Sequence, residues 1–245
     1  MKKIAWLIGA SSGIGKALAM ALAQAGWTVA ISARREEKLN TLNAQHANLH
    51  VYPVDVTNCL TLQTTYSLIE TQLGALDLCI YNAGDYQPMP LAAFNPTIFE
   101  QLNQVNYLGA VNTLACLIPN MTQRGRGQIL LTASLAAYRG LPKAAPYNAS
   151  KAALLSLAES LHPELKQQGV LLRVINPGFV RSALTDKNDF KMPFLMDADQ
   201  AAAAIMRELP KQHFEIRFPK RFAWLMGFLA CLPYRWYFSL TKRMV

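Results

Sequence analysis

The chain reads as an α/β fold of the doubly wound kind, a single domain built on a mostly parallel seven-stranded sheet. Three observations lead there. Short apolar runs alternate with stretches of helical periodicity along most of the 245 residues, the pattern of strands joined by right-handed helical crossovers. Gly9, Gly13 and Gly15 follow the first apolar run directly and open a helix. The polar residues with chemistry to offer stand just past the ends of apolar runs, at the sheet edge where open α/β folds bind ligands.

Residues 4–8 (Ile4-Ala5-Trp6-Leu7-Ile8) read as a buried strand, and Gly9-Ala10-Ser11-Ser12-Gly13-Ile14-Gly15 follows at once, leading into an Ala/Leu-rich helix through about Ala25. Glycines here permit positive φ and close approach of a ligand, and the free N–H groups of a helix start attract a pyrophosphate. The spacing is G-x-x-x-G-x-G, not the commoner G-x-G-x-x-G. A strand over 27–32 delivers Ala33-Arg34-Arg35. In a dinucleotide fold an acid at this strand end would hold a ribose 2′-hydroxyl, whereas arginine would take a 2′-phosphate. Ala33 stands in the acid's place, so Arg34 and Arg35 point to NADP(H) over NAD(H); alone, they would serve equally as the solvated start of a helix over 35–45.

A third strand over 49–54 ends at Asp55-Val56, and a polar helix around 60–73 leads to a strand over 76–81. Asn82-Ala83-Gly84 closes that strand with small residues, as needed where backbone passes close to a ribose. From 97 to about 121 apolar residues recur at helical spacing (Ile98, Leu102, Val105, Leu108, Leu114, Leu117), interrupted by Asn106 and Gly109. A strand over 128–132 brings Ser134 to the carboxyl edge. The helix holding Tyr147 runs to about Leu165, and a strand over 170–175 ends at Asn176-Pro177-Gly178-Phe179-Val180-Arg181-Ser182. Residues 183–196 are irregular and group Met192, Phe194, Leu195 and Met196, which suits a lid beside a site. Asp197 with Gln200 forms a capping box for a helix to Leu209, and 213–218 is the last strand.

Tyr147 and Lys151 are four apart on one helix and therefore share a face. A phenol has a pKa of about 10. An ammonium roughly 4 Å away is worth on the order of 4 kcal/mol at an effective dielectric near 20, about three pKa units. Lys151 is thus expected to bring the Tyr147 phenol into proton-exchange range near neutrality.

Ser134, Tyr147 and Lys151, in this order and spacing, resemble the active site of the short-chain dehydrogenase/reductase family. The glycine turn, Asn82-Ala83-Gly84 and the Asn176-to-Ser182 stretch are similar too, so the resemblance covers residues 4 to about 218. It implies a Rossmann-type fold and reversible hydride transfer between nicotinamide and a carbonyl or secondary alcohol. In that scheme Tyr147 is acid in reduction and base in oxidation, and Ser134 holds the substrate oxygen. Lys151 lowers the phenol's pKa and binds the nicotinamide ribose. Asn106 loosens its helix, and its carbonyl holds a water linking Lys151 to solvent. The implied cofactor contacts are Gly9, Ser11, Ser12, Gly13, Ile14, Gly15, Arg34, Arg35, Asp55, Val56, Asn82, Ala83, Gly84, Tyr147, Lys151, Pro177, Gly178, Val180 and Ser182, with Asp55 and Val56 beside the adenine. Ile8 stands where the family usually has Thr, and Ser182 replaces another Thr while keeping its hydroxyl. The family also implies a homodimer or homotetramer, paired through the Tyr147 helix and the one before it, although the stripe Ala153, Leu154, Leu157, Leu161, Leu165 also fits core packing. Two rivals are a non-catalytic NADP(H)-binding sensor, whose usual mark is loss of the Tyr or Lys, and a sugar-nucleotide epimerase or dehydratase, whose glycine spacing differs.

The formal net charge is +9, and six of those charges lie in residues 216–245 (Arg217, Lys220, Arg221, Arg235, Lys242, Arg243) with no acidic residue among them. The body carries the remaining +3, which does not describe a nucleic-acid surface. Cys59, Cys79, Cys116 and Cys231 lack C-x-x-C spacing, so neither a metal site nor a disulfide framework is indicated and a reducing cytoplasm fits. Met1-Lys2-Lys3 precedes an apolar run too short for a signal peptide. Residues 1–218 form the catalytic domain, and 219–245 are a hydrophobic, basic extension. Its unbroken run over 222–232 is too short to span a bilayer, and Pro233 should break it into two short helices. Trp224, Trp236 and Tyr237 suit a lipid interface at the inner face of a membrane; the same segment would equally pack on a partner subunit or roof a pocket for a hydrophobic substrate.

Overall fold

A computed structural model describes residues 2–242; Met1 and the tail's Arg243 lie outside the described residues. The sheet runs β3-β2-β1-β4-β5-β6-β7. Its strands are Ile4–Ile8 (β1), Thr28–Ser32 (β2), Leu49–Val51 (β3), Leu78–Tyr81 (β4), Gly127–Thr132 (β5), Val170–Pro177 (β6) and Glu215–Phe218 (β7). Every neighbouring pair is parallel, where the sequence allowed for a mostly parallel sheet. β1 is buried along its whole length, which its unbroken apolar run requires of a central parallel strand. Its side chains alternate between two cores. Trp6 and Ile8 join the core covered by α3 (Cys59–Leu73), α5 (Gly109–Arg124) and α6 (Ala145–Gln167). Ala5 and Leu7 join the one covered by α1 (Gly13–Gln24), α2 (Glu36–Asn43) and α7 (Ala198–Glu208). Strand order reverses between β1 and β4, and the crevice past their carboxyl ends is where such sheets take ligands.

Several boundaries differ from the sequence reading. β3 stops at Val51 because Pro53 has no amide to offer the ladder, although Tyr52 and Val54 still donate to the carbonyls of Ile31 and Ala33. β4 and β7 are likewise shorter than 76–81 and 213–218. The helix expected over 97–121 is three pieces: α4 (Pro96–Asn103), a π-helical turn over Gln104–Leu108, and α5. The cause lies on the sheet. The Tyr81 hydroxyl reaches up from β4 and donates to the Val105 carbonyl, and Gly109 makes room for it, since a Cβ there would fall on the Tyr81 hydroxyl oxygen and stand 2.9 Å from Val56 Cγ2. Of the α6 stripe, Leu154 and Leu165 are buried and Leu157 and Leu161 pack against the same core.

α7 opens with the reciprocal Asp197 and Gln200 cap. Beyond β7 the chain forms α8 (Lys220–Cys231) and α9 (Tyr234–Thr241), separated at Pro233. Among the described residues no helix is long and apolar enough to cross a membrane.

Candidate active site

The nucleotide side of the crevice is built from backbone. Gly9 has φ +92, and a Cβ on it would stand 2.5 Å from the Ala83 nitrogen; one on Gly15 would fall on the Gly9 carbonyl oxygen. The β1–α1 turn and the Asn82-Ala83-Gly84 strand end therefore touch main chain to main chain, and Asn82 Nδ2 donates to the Gly9 carbonyl at 3.3 Å. Ser12, the N-cap of α1, is extended and its side chain caps nothing, so first-turn amides stay available. Gly13 faces Ser182, which the chain after Pro177 and Gly178 brings over the helix start. Val180 is buried and fixes that segment by bridging to Met196. Arg35 Nη2 donates to Ser11 Oγ at 2.8 Å and to Ser12 Oγ at 3.3 Å, and Arg34 is exposed beside it. Ile14 packs on the α1 side of the core. Val56 is buried, and Asp55 Oδ1 accepts from the Thr57 amide and hydroxyl. Free amides at a glycine turn, serine hydroxyls and two guanidinium groups are the donor set a phosphorylated nucleotide needs, so the residues present fit one.

Ser134, Tyr147, Lys151 and Asn106 meet at the other side of the crevice. Ser134 begins a single 3-10 turn at the end of β5: its Oγ accepts from the Ala136 amide at 3.1 Å and its amide donates to Asn176 Oδ1 at 3.1 Å. Tyr147 and Lys151 stand one turn apart on α6, with Lys151 Nζ 5.9 Å from the Tyr147 ring centre and donating to the Thr132 carbonyl at 2.7 Å. Asn106, buried by the π turn, accepts from the Asp85 amide at 2.8 Å and donates to the Asp85 carbonyl at 3.0 Å and Ser150 Oγ at 2.9 Å. Gly84 separates Asn106 from Lys151: a Cβ there would lie 3.2 Å from Asn106 Oδ1 and 3.3 Å from Lys151 Nζ.

The electrostatics correct one expectation. Burial pushes the Tyr147 phenol up from its ordinary value, a hydrogen bond with Ser134 pulls it down, and Tyr86 adds a smaller upward push. Burial also lowers Lys151 from 10.5 to about 7. The ammonium that was to bring Tyr147 down is itself disfavoured by the same desolvation, and the hydrogen bond with Ser134 is what favours the phenol's anion.

Sequence reasoning missed the residues that close the site. Tyr86 meets Tyr147 edge to face, ring centres 5.2 Å apart at 85°. Its hydroxyl donates to Asn188 Oδ1 at 2.9 Å, while Lys187 Nζ donates to Asp85 Oδ1 at 2.8 Å and to the Tyr86 carbonyl at 2.6 Å. The loop over 183–196 is thus fastened across the crevice. Beyond it Phe179 and Phe194 both stack on Phe222 of α8, at 5.5 and 5.9 Å, and Leu135 is buried against Phe222, Ala223 and Met226. Arg139 holds the tail in place, donating to the carbonyls of Leu229, Ala230 and Leu232 and lying 4.7 and 4.1 Å over the rings of Tyr234 and Tyr237. The wall next to Ser134 is consequently apolar.

A doubly wound parallel fold with a glycine turn at its switch point and a cluster of buried Ser, Lys and Asn around a half-buried Tyr defines a class of nucleotide-dependent enzyme, and the relatives narrow it. The family model for short chain dehydrogenases matches residues 3–192. An uncharacterized oxidoreductase of Myxococcus xanthus is 35% identical over 251 residues, spanning 99% of this chain and 97% of that protein. A short chain dehydrogenase from Burkholderia cenocepacia, solved in complex with NADP, superposes with a TM-score of 0.85 at 25% identity over 100% of this chain and 98% of its own. A short chain dehydrogenase/reductase from Burkholderia phymatum, solved in complex with NAD, has the same fold at 23% identity, with a TM-score of 0.83 over 92% of both chains. The chain belongs to the short-chain dehydrogenase family and is an oxidoreductase.

Proposed function

We propose that this oxidoreductase is NADP(H)-dependent and interconverts a carbonyl and a secondary alcohol on a hydrophobic substrate. The observation that carries the reading is the convergence of buried Ser134 and Lys151 with half-buried Tyr147 in one crevice beside the glycine turn. When bound, the nicotinamide supplies or accepts the hydride. In reduction Tyr147 gives its proton to the substrate oxygen as the carbonyl carbon gains the hydride, and Ser134 Oγ holds that oxygen in reach. Tyr147 regains its proton through Lys151, which also grips the ribose, and through a water on the Asn106 carbonyl. Oxidation reverses each step. The cofactor contacts proposed are the glycine-turn residues 9 and 11–15, Arg34, Arg35, Asp55, Val56, residues 82–84, Tyr147, Lys151, Pro177, Gly178, Val180 and Ser182.

Arg35 resting on Ser11 and Ser12 supports NADP(H), because a 2′-phosphate beside them would take charge-assisted hydrogen bonds worth roughly 1.5 to 3 kcal/mol each. The apolar wall of Leu135, Phe179 and Phe222 supports a hydrophobic substrate. A non-catalytic sensor is not favoured, since it would have no use for a half-buried Tyr147 beside a buried Lys151. Residues 1–218 carry the chemistry in this scheme, in the cytoplasm, as a homodimer or homotetramer paired across α5 and α6.

The test is NADPH and NADH oxidation by the purified protein against a panel of ketones, aldehydes and acyl carbonyls. NADPH should bind at least about tenfold more tightly than NADH, and Arg34→Ala or Arg35→Ala should weaken NADPH much more than NADH. Equal affinity for the two cofactors in the unmutated protein sinks the NADP(H) assignment.

A further inference from the structure

α8 is apolar on two opposite faces. Phe222, Ala223 and Met226 point into the small core over Leu135. Trp224, Leu225 and Phe228, spaced i, i+1 and i+4, point out, with Trp224 71% and Phe228 63% exposed. α9 repeats the arrangement: Tyr237 is buried and donates to the Gly140 carbonyl, while Trp236 and Phe238 stand in solvent. A helix that is apolar all round belongs in an apolar surrounding, and here half of that surrounding is protein.

We propose that the outer face of α8 and α9 docks on an anionic phospholipid bilayer. Charge decides between this partner and a second copy of the chain. Lys220, Arg221 and Arg235 are exposed beside the aromatic rows, and residues 216–245 contain no acidic residue; Arg217, under the Trp224 ring at 5.6 Å, is paired with Glu215 at 3.6 Å and adds no net charge to the face. A twofold contact through this face would set the basic groups of one copy against the same groups of the other, with no carboxylate from the tail between them. An anionic head-group layer complements those charges, and the interfacial zone takes Trp and Phe rings at the depth of two short helices lying flat. The helices dock without spanning, since α8 is only 12 residues long. Arg139 caps α8 and lies over Tyr234 and Tyr237, so the platform is already ordered in the free protein and binding need not fold it.

The experiment is co-sedimentation of the full chain with phosphatidylcholine vesicles and with mixed phosphatidylcholine and phosphatidylglycerol vesicles, at low and high salt. Binding to the mixed vesicles at low salt, weakened by salt and weaker on phosphatidylcholine alone, is expected. Arg221→Gln combined with Arg235→Gln should weaken it about thirtyfold, at about 1 kcal/mol per basic residue. Trp224→Ser combined with Phe228→Ser should abolish it with an unchanged thermal midpoint, because both residues are exposed. Three results overturn the proposal: an intact protein that stays in the supernatant with the mixed vesicles at low salt; binding indifferent to phosphatidylglycerol and to the arginine substitutions; or a Trp224 and Phe228 variant that turns a dimer into a monomer while the parent ignores vesicles, which assigns the face to a second copy. None of these readouts depends on cofactor or substrate, so the docking surface and the proposed reaction stand or fall separately.

Discussion

The two sides of the crevice are made differently. Below the glycine turn, contact is main chain against main chain: Gly9 against Ala83, Gly15 against Gly9, and helix amides left open at Ser12. On the side formed by the loop over 183–196 and α8, contact is side chain against side chain, through stacked phenylalanines and surface-reachable hydrogen bonds from Lys187 and Tyr86. Backbone contacts of the first kind leave no room for an added carbon, whereas aromatic and latch contacts can be exchanged singly at modest cost. A fold that keeps one kind of cofactor while accepting different substrates needs this division, with a floor that cannot vary under a roof that can.

The floor is where single substitutions should cost most. Tyr147→Phe removes one oxygen and leaves the ring's contact with Tyr86, so the fold and NADPH affinity should be kept while kcat falls by about 10² to 10⁴. A kcat within about threefold of the parent would move the acid/base role away from Tyr147. Gly15→Ala puts a carbon onto the Gly9 carbonyl oxygen, and neither backbone can retreat without shifting α1 or the end of β1. A stability loss of about 3 kcal/mol or more is expected by chemical denaturation, with nucleotide affinity lost as well. A variant as stable as the parent would show the turn to be looser than its packing implies.

Lys151 gives the floor a pH signature. Its folded pKa of about 7 lies below the ordinary 10.5, so between these values the unfolded chain binds more protons than the folded one. Stability from this group therefore rises as pH climbs from about 7 to 10.5 and is lowest, and flat, below 7. Lys151→Met abolishes the dependence. The variant's thermal midpoint, taken relative to the parent, should fall as pH rises across that window, by on the order of 4 kcal/mol of relative stability. A difference independent of pH would mean that Lys151 keeps its charge when folded.

How far the sequence foretold each side follows from where the determining contacts lie. The glycine turn, the order of elements and the Tyr147 and Lys151 pair rest on neighbours within one turn or loop, and local spacing was enough to read them. The π turn at Asn106 was visible only as an interruption, because its cause, the Tyr81 hydroxyl, comes from a strand 24 residues earlier. The balance of charge on Tyr147 and Lys151 was misjudged because desolvation depends on what the whole fold packs around the pair. Arg35 on the serines could be suspected but not placed. Lys187 and Asp85 are 102 residues apart, with no periodicity or motif joining them, so the fastening of the roof left no trace in the sequence.

That fastening gives the smallest expected effect and the sharpest test of the contrast. The Lys187 and Asp85 side chains are 42% and 46% exposed, and an ion pair so open to water is worth about 0 to 1 kcal/mol. Lys187→Met should therefore leave the thermal midpoint almost unchanged. It nevertheless frees the Tyr86 carbonyl as well as Asp85, loosening the segment that presents Tyr86 to Tyr147. If the roof's job is to hold substrate over a floor that is already formed, KM for an apolar carbonyl should rise about threefold to tenfold, an opening cost of roughly 1 kcal/mol, while kcat and NADPH affinity stay within about twofold. A fall in kcat with KM unchanged would instead mean that the latch acts through Tyr86 on the placing of the Tyr147 hydroxyl, so that roof and floor are one unit. Combining Lys187→Met with Tyr86→Phe separates the two cases. Independent fastenings add their effects on KM, whereas a shared path through Tyr86 leaves the double variant no worse than the worse single one.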